Sequence, residues 1–229
     1  NYEYQYVKGD ILHSSRDSSE QLIKLEREIG IHNFAAQYLQ EPISNNSAML
    51  SKEDISYYET LPEQFNYLIQ SWDTAIKVSE NADYSVCTCW GVLDKKYYLI
   101  SLFRQKLTYP ELKSKVDKLA KRYNPKFILI EDKASGQQLI QDLRLDGFAN
   151  IIAIKPKLDK ITRFASIVSL FQAGSVQLPK QASFNSVLLQ ELLAFPSCKN
   201  DDIVDSISQF LNFIKDHTGK KPARIRGFG

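Results

Sequence analysis

The spacing of apolar and polar residues becomes regular from about residue 66 onward. Three runs rich in β-branched and aromatic residues predict strands over 67–73, 84–92 and 97–104. The short polar segment Leu93-Asp-Lys-Lys96 separates the second run from the third and has the length of a tight turn. We therefore predict that the second and third strands form a hairpin.

After this hairpin, stretches with helical periodicity alternate with short runs that are apolar throughout. In the first stretch, Leu112, Val116 and Leu119 share one helical face. The predicted elements are, in chain order, a helix over 109–122, a strand over 127–131, a helix over 137–145, a strand over 151–154, and helices over 161–173, 184–195 and 202–214. This order predicts an α/β fold in which three antiparallel strands and then parallel strands form one mixed sheet flanked by helices.

The two ends of the chain differ from this central region. Residues 1–60 read as an acidic segment with one amphipathic helix near residues 22–29. Residues 217–229 are basic and predict a flexible tail. We therefore place the folded domain at 61–216. The chain begins with neither an initiator methionine nor a signal peptide, so we expect it to be a piece of a longer protein.

The composition is that of an ordinary globular domain, with 43% hydrophobic and 24% charged residues in 229. Its three cysteines, Cys87, Cys89 and Cys198, form neither a disulfide framework nor a zinc-site spacing, which favours a reducing, cytoplasmic setting. No apolar run approaches the ~20 residues that a membrane helix needs. Phosphate-loop and dinucleotide-binding motifs are also absent, so we expect no nucleotide to bind this fragment.

The net charge of +2 conceals a strong asymmetry along the chain. Residues 1–70 carry five Lys and Arg against eleven Asp and Glu, whereas the remainder carries 24 against 16. A basic surplus favours a polyanionic partner such as DNA. The alternative interpretation is a solvated, lysine-rich surface.

Carboxylates stand at three points where predicted elements begin or end. Asp73 ends the first strand, Glu131 ends the first buried strand, and Asp202 and Asp205 share one face at the start of the last helix. Each could be a solvated strand end or a helix cap. If the three points converge, however, the carboxylates repel one another unless a cation lies between them. Asp132 should face away from the other acids if the strand continues.

Oxygen ligands without cysteine or histidine favour Mg²⁺ or Mn²⁺ over zinc. Two such ions can activate a water molecule and stabilise the leaving oxygen in an in-line displacement at phosphorus. This pattern therefore predicts phosphodiester hydrolysis with two bound ions.

Basic residues follow the second buried strand and enter the next helix. Lys155, Lys157, Lys160 and Arg163 are spaced to contact a phosphate backbone without reading bases. Lys133, just after Glu131, is added to this expected DNA-binding set. The alternative is a charged surface loop.

Several segments resemble the C-terminal nuclease domain of the large terminase subunit, the DNA-packaging motor of tailed double-stranded DNA bacteriophages and prophages. They are Gln37-Tyr-Leu-Gln-Glu-Pro42, Trp72-Asp-Thr-Ala75, Ile130-Glu-Asp-Lys-Ala-Ser-Gly136 and Asp201-Asp-Ile-Val-Asp205, with Lys160-Ile-Thr-Arg163 and Ala173-Gly-Ser-Val-Gln-Leu-Pro179 in support. The resemblance implies a ribonuclease H-like fold and a metal-dependent endonuclease that cuts concatemeric double-stranded DNA. It also implies action in the bacterial host cytoplasm, with the small terminase subunit, the portal and an ATPase domain as partners.

The resemblance assigns the family's catalytic, metal-binding acids to Asp73, Glu131 and Asp202, and Asp205 is expected to complete the second ion's site. Asp83 and Asp201 are secondary candidates. We expect Asp201 to point about 100° away from Asp202 around the helix and to act mainly as a cap.

Two other functions fit parts of the pattern. One is a different ribonuclease H-like nuclease, such as a resolvase or transposase. The other is a non-catalytic docking module for a portal or capsid, because a fold alone does not prove activity. The acidic N-terminal segment favours the terminase over a resolvase or transposase. The three intact carboxylate positions argue against a non-catalytic docking module.

Overall fold

The structure is a computed structural model of the 229-residue chain. The residues that it describes are 18–29, 38, 48–76, 83–133 and 135–218. The chain divides into two compact units, 1–44 and 45–229. Within the described residues, no helix is both long and apolar enough to cross a membrane.

The first unit contributes one described helix, α1 (Ser19–Ile29). Reciprocal hydrogen bonds mark its start, because the Ser18 backbone N–H donates to Gln21 Oε1 (3.0 Å) and the Gln21 N–H donates to Ser18 Oγ (3.3 Å). The predicted amphipathic helix near residues 22–29 is therefore confirmed. The Gln37–Pro42 segment lies outside the described residues except for Tyr38.

The second unit is built on one seven-stranded mixed sheet. Its elements are a 3₁₀ helix (Lys52–Asp54), β1 (Ser56–Tyr58), β2 (Tyr67–Asp73), β3 (Ser85–Leu93), β4 (Lys96–Gln105), α2 (Tyr109–Tyr123), β5 (Phe127–Glu131), α3 (Ser135–Leu145), β6 (Ile151–Ile154), α4 (Lys160–Gln172), β7 (Val176–Pro179), α5 (Asn185–Ala194) and α6 (Asp202–Thr218). The strand order is β1-β7-β4-β3-β2-β5-β6. Among the described strands, only the β2–β3 and β3–β4 pairs are antiparallel. The predicted fold class is confirmed.

The hairpin between β3 and β4 is also confirmed. Its turn residues Asp94 and Lys95 have φ values of 45° and 63°, and two successive left-handed residues match the twist of the strands on either side. The turn lies at the sheet edge opposite the end of β2, because Tyr67 pairs with Val92 and Asp73 pairs with Val86. The open end of the hairpin, where β3 begins and β4 ends, therefore lies at the sheet edge where β2 ends.

Two short parallel strands were not predicted from the sequence. Strand β7 pairs with β4, and β1 pairs with β7 to form one edge of the sheet. Polar residues interrupt both, so they lack the continuous apolar run that identifies the equally short β6. Strand β1 precedes residue 61, where we placed the domain start, and α6 continues to Thr218, past the predicted end of that domain at 216. Residues 219–229 lie outside the described part of the chain.

Helices cover both faces of the sheet. On one face α4, α5 and α6 bury the larger core, in which Trp90 of β3 stacks on Phe210 of α6 with ring centroids 4.7 Å apart. On the other face α2 and α3 pack on Trp72, Ile128 and Ile130. Because β5 lies between two helical layers, its apolar run has no exposed face, as the sequence predicted.

A buried polar network fastens α6 to the centre of the sheet. Ser206 Oγ donates to the Ser71 carbonyl (2.9 Å), and Ser71 Oγ donates to the Ser206 carbonyl (2.7 Å). Ser206 Oγ also hydrogen-bonds Thr88 Oγ1 (2.8 Å), and Gln209 Nε2 donates to Ser71 Oγ (3.0 Å). These bonds fix the height and rotation of α6 over β2 and β3.

We expect Ser206→Ala to destabilise the domain by roughly 1–3 kcal/mol, because buried groups on Ser71 and Thr88 lose a partner. Ser114→Ala, on the exposed face of α2, should change stability by less than ~0.5 kcal/mol. Urea denaturation of both variants measures the difference. Equal stabilities would show that the network does not hold α6 in place.

Candidate metal centre

The first two candidate carboxylates lie on neighbouring parallel strands. Trp72 of β2 pairs with Ile130 of β5, and the next residues, Asp73 and Glu131, follow at the same edge of the sheet. Both strands are buried up to this point and end where the polar side chains begin. The parallel register therefore brings the two carboxylates together at the carboxyl ends of the strands.

The other two carboxylates come from the first turn of α6. Asp202 and Asp205 are buried, at 8% and 6% exposure, and lie one helical turn apart. Ser206, which follows Asp205, is the residue hydrogen-bonded to Ser71. The polar network thus places this turn beside the end of β2.

All the predicted carboxylates line one cavity of about 240 Å³. Its lining residues are Asp73, Thr74, Ala75, Asp83, Glu131, Lys133, Lys160, Arg163, Asp201, Asp202 and Asp205. Both secondary candidates are among them. Asp132 is not, and its carboxylate lies 3.4 Å from Lys155 Nζ instead, as expected from the strand geometry.

Asp201 lines the cavity together with Asp202 and Asp205. Its carboxylate accepts from Lys160 Nζ at 2.8 Å through each oxygen. Asp201 directly precedes α6, and its backbone carbonyl accepts the Asp205 N–H (2.9 Å), as the residue at a helix N-cap position does.

Lys160 and Arg163, two of the expected DNA-binding residues, form ion pairs with the acids of the cavity. Lys160 Nζ lies 2.9 Å from Asp205 Oδ2, and Arg163 Nη2 lies 2.9 Å from Asp205 Oδ1. The Arg163 side chain is only 11% exposed. In this structure these two cations offset the charge of the carboxylates, and both line the cavity.

The remaining basic candidates lie further out. Lys155 and Lys157 are exposed. Lys133 Nζ lies 2.6 Å from Glu131 Oε1, with 64% of the Lys133 side chain exposed. These three lysines are accessible to a large anionic partner.

The acids are held in an environment that disfavours their charge. Burial raises the pKa of Asp73 well above its ordinary value, and neighbouring carboxylates, Asp205 foremost, raise it further. Burial raises the pKa of Asp202 to about 6, against the influence of Arg104. Burial also raises the pKa of Asp205, against its hydrogen bond with Lys160. The cluster therefore gains from any additional positive charge.

Two residues beside the cavity were not identified from the sequence. Arg104, near the end of β4, has its Nη2 atom 3.1 Å from Glu191 Oε1 and 3.7 Å from Asp202 Oδ2. Glu191 Oε2 accepts the backbone N–H of Ile203 (3.0 Å) at the start of α6. Burial raises the pKa of Glu191 to about 7, although the Ile203 N–H and Arg104 oppose the shift. One feature of the sequence could have identified Glu191: it is a charged residue on the same helical face of α5 as Leu188 and Leu192.

The donor atoms fit a divalent ion, but they are not arranged as a finished site. The donors in the described lining of the cavity are carboxylates and Thr74, with no histidine or cysteine, which suits magnesium or manganese. Glu131 Oε1 is buried and makes no hydrogen bond of good geometry within the described residues. Among the described residues, no group of three acidic, histidine or cysteine side chains is positioned to hold a metal ion. Lys160, which contacts Asp201 and Asp205, would have to move for Asp205 to become a ligand.

Comparisons with known proteins agree with this geometry. The family model for the terminase RNase H-like domain matches residues 70–213. A comparison with curated proteins finds no significant match.

Solved structures with the same fold include proteins of two thermophilic phages. A large terminase from a thermophilic bacteriophage, in its crystal form 2, gives a TM-score of 0.65 at 15% identity over 86% of this chain and 52% of that chain. The large terminase nuclease of thermophilic phage G20c, solved with bound magnesium and with bound cobalt, gives 0.56 at 17% identity over 74% of this chain and 98% of that chain. The chain thus spans about half the length of the first of these proteins.

At these identities the structural likeness shows the fold alone, whereas the family model covers more than half of the chain. The match includes the strands and the helix that carry Asp73, Glu131 and Asp202. The chain therefore belongs to the terminase RNase H-like domain family and has the nuclease-domain fold of a large terminase subunit.

Proposed function

We propose that this domain is a metal-dependent endonuclease that hydrolyses phosphodiester bonds of concatemeric double-stranded DNA during viral packaging. The observation that carries the proposal is the convergence of Asp73, Glu131 and Asp202 on one cavity. These acids come from three separate elements, so ordinary strand-end solvation or helix capping does not account for their meeting.

The ions that suit this oxygen-only site are Mg²⁺ or Mn²⁺, and we propose that two are bound. Asp73, Glu131 and Asp202 would hold them, with Asp205 completing the second position. Bound there, the ions would supply activation of the attacking water and stabilisation of the leaving oxygen. The G20c nuclease structures with bound magnesium and cobalt support a divalent ion at this fold.

The chain's own side chains would position the substrate. Lys155 and Lys157 are exposed beyond the carboxyl end of β6, on the flank of the cavity next to Glu131. Lys133 lines the cavity itself and contacts Glu131. These cations would contact the phosphate backbone and orient it toward the cavity without reading base sequence.

The family also supports proposals about the complete protein. A large terminase carries an ATPase domain, and we propose that such a domain, the small subunit and the portal are partners in the host cytoplasm. The family match favours the terminase over a resolvase or transposase. A purely docking role would leave the buried, mutually repelling carboxylates without a purpose.

Cleavage should depend on a divalent ion and on the cavity acids. We expect Asp202→Asn to lower the rate of plasmid cutting in Mg²⁺ or Mn²⁺ by orders of magnitude, because charge developing in the transition state loses its stabilisation. Asp117→Asn, on α2 and outside the cavity lining, is the matched control and should cut normally. Cutting that persists in chelator, or none by the unaltered protein with either metal, would refute the proposed activity.

The acidic cluster should also make the metal-free protein less stable as pH rises. Unfolded Asp202 loses its proton near its ordinary pKa, whereas the folded carboxyl has a pKa of about 6, so the penalty grows between these values and is complete above pH 6. At pH 8 in chelator, Asp202→Asn should be more stable than the unaltered protein by about 2 kcal/mol, with little gain near pH 4. Urea denaturation at both pH values measures this.

The surface variant Asp117→Asn serves as the control and should shift stability by less than ~0.5 kcal/mol at either pH. An equal gain from Asp202→Asn at both pH values would mean that the charge of Asp202 carries no penalty.

DNA affinity should respond to the exposed lysines and not to the buried arginine. Lys155→Ala and Lys157→Ala should each reduce the slope of log affinity against log salt by about one. Arg163→Ala should leave the slope unchanged, because Arg163 pairs with Asp205. Lys96→Ala, exposed at the opposite edge of the sheet, is the control. Fluorescence anisotropy with a duplex across a salt series would show whether Lys155 or Lys157 contacts phosphate.

A further inference from the structure

We propose that Glu191 is a positioning residue for Asp202: it holds Arg104 away from the Asp202 carboxylate and so keeps that carboxylate available to a divalent ion. This inference rests on the proposed function of the site. It adds a role for two buried residues, Arg104 and Glu191, that the metal proposal itself does not use.

Glu191 and Asp202 both lie near the Arg104 guanidinium, but at different distances. Arg104 Nη2 is ion-paired with both carboxylates, but it is 3.1 Å from Glu191 Oε1 and 3.7 Å from Asp202 Oδ2, so only the second lies beyond hydrogen-bonding distance. All three side chains are sheltered from solvent, with exposures of 15%, 5% and 12%. In such surroundings a free guanidinium would close on the nearest carboxylate.

Arg104 has little other freedom. Its guanidinium carbon lies 3.8 Å from the centre of the Tyr84 ring, and stacking on that ring restrains the tilt of the group. Nη2 is buried and makes no hydrogen bond of good geometry within the described residues. The guanidinium can therefore slide between the two carboxylates more easily than it can leave them.

The second carboxylate oxygen of Glu191 is held by a backbone hydrogen bond. This Oε2 atom accepts the Ile203 N–H at 3.0 Å, immediately after Asp202 in the chain. The same carboxylate thus anchors the first turn of α6 with one oxygen and retains Arg104 with the other. Asp202 is left with a cation near enough to offset part of its charge but not near enough to occupy its oxygen.

The experiment removes the charge of Glu191 while keeping its shape. Glu191→Gln retains an oxygen that can accept the Ile203 N–H but attracts Arg104 less. We expect the guanidinium to move onto Asp202 and the dissociation constant for Mn²⁺, measured at pH 8 by calorimetry without DNA, to rise roughly 10-fold. In a crystal structure of this variant, the distance from Arg104 Nη2 to Asp202 Oδ2 should fall from 3.7 Å to hydrogen-bonding length.

A double-mutant cycle separates this mechanism from a simple loss of negative charge. In an Arg104→Gln background, Glu191→Gln should have almost no effect on Mn²⁺ affinity, because no guanidinium remains to be released. If Glu191→Gln weakens Mn²⁺ binding equally with and without Arg104, the effect is one of charge at a distance and the inference is overturned.

Glu111→Gln is the matched control, since Glu111 Oε2 also accepts a backbone N–H at a helix start, that of Thr108 (2.8 Å), away from the cavity. It should leave Mn²⁺ affinity unchanged. Normal metal binding by the unaltered protein together with normal binding by Glu191→Gln would overturn this inference and leave the proposed function intact. Failure of the unaltered protein to bind Mn²⁺ would overturn both.

Discussion

The attachment of α6 to the middle of the sheet is the interaction on which the rest of the structure depends. Ser206 and Gln209 bond to Ser71 in a region that water does not reach, so a shift of the helix would leave several polar groups buried without partners. Such groups cost more to leave unpaired than apolar contacts cost to rearrange. The helix is consequently held in one register, and Asp202 and Asp205 are held with it.

This arrangement concentrates negative charge at one edge of the sheet, and the fold must compensate for it. Compensation comes from two sides: Arg104 reaches in from β4, and Lys160 and Arg163 reach in from α4. Arg104 lies beside Asp202, whereas Lys160 and Arg163 both contact Asp205. Burial still raises the pKa values of Asp73, Asp202 and Asp205. The residual repulsion is the physical reason to expect that the site gains from divalent cations.

The basic residues divide into two groups according to depth. Arg163 and Arg104 are buried beside the acids and act on the charge and orientation of carboxylates. Lys155 and Lys157 are exposed at the end of β6 and are available to a polyanion. Lys160 stands between the groups, half exposed and bonded to Asp201 and Asp205, so it is the cation best able to exchange an internal partner for an external one.

The sequence by itself determined the main strands and helices, because long apolar periodicities report directly on which faces are buried. It also located Asp73 and Glu131, since a charge that ends a buried apolar strand must emerge at the edge of a sheet. Strands β1 and β7 were not predicted, because polar residues interrupt them and they lack the continuous apolar run that identified the equally short β6. Tertiary structure alone decided which cation meets which acid: Arg163 and Lys160 look like phosphate ligands in the sequence, yet the packing of α4 beside α6 places them against Asp205. Glu191 could not be identified for the same reason, because the effect of a charged side chain depends on the partners that folding brings within reach.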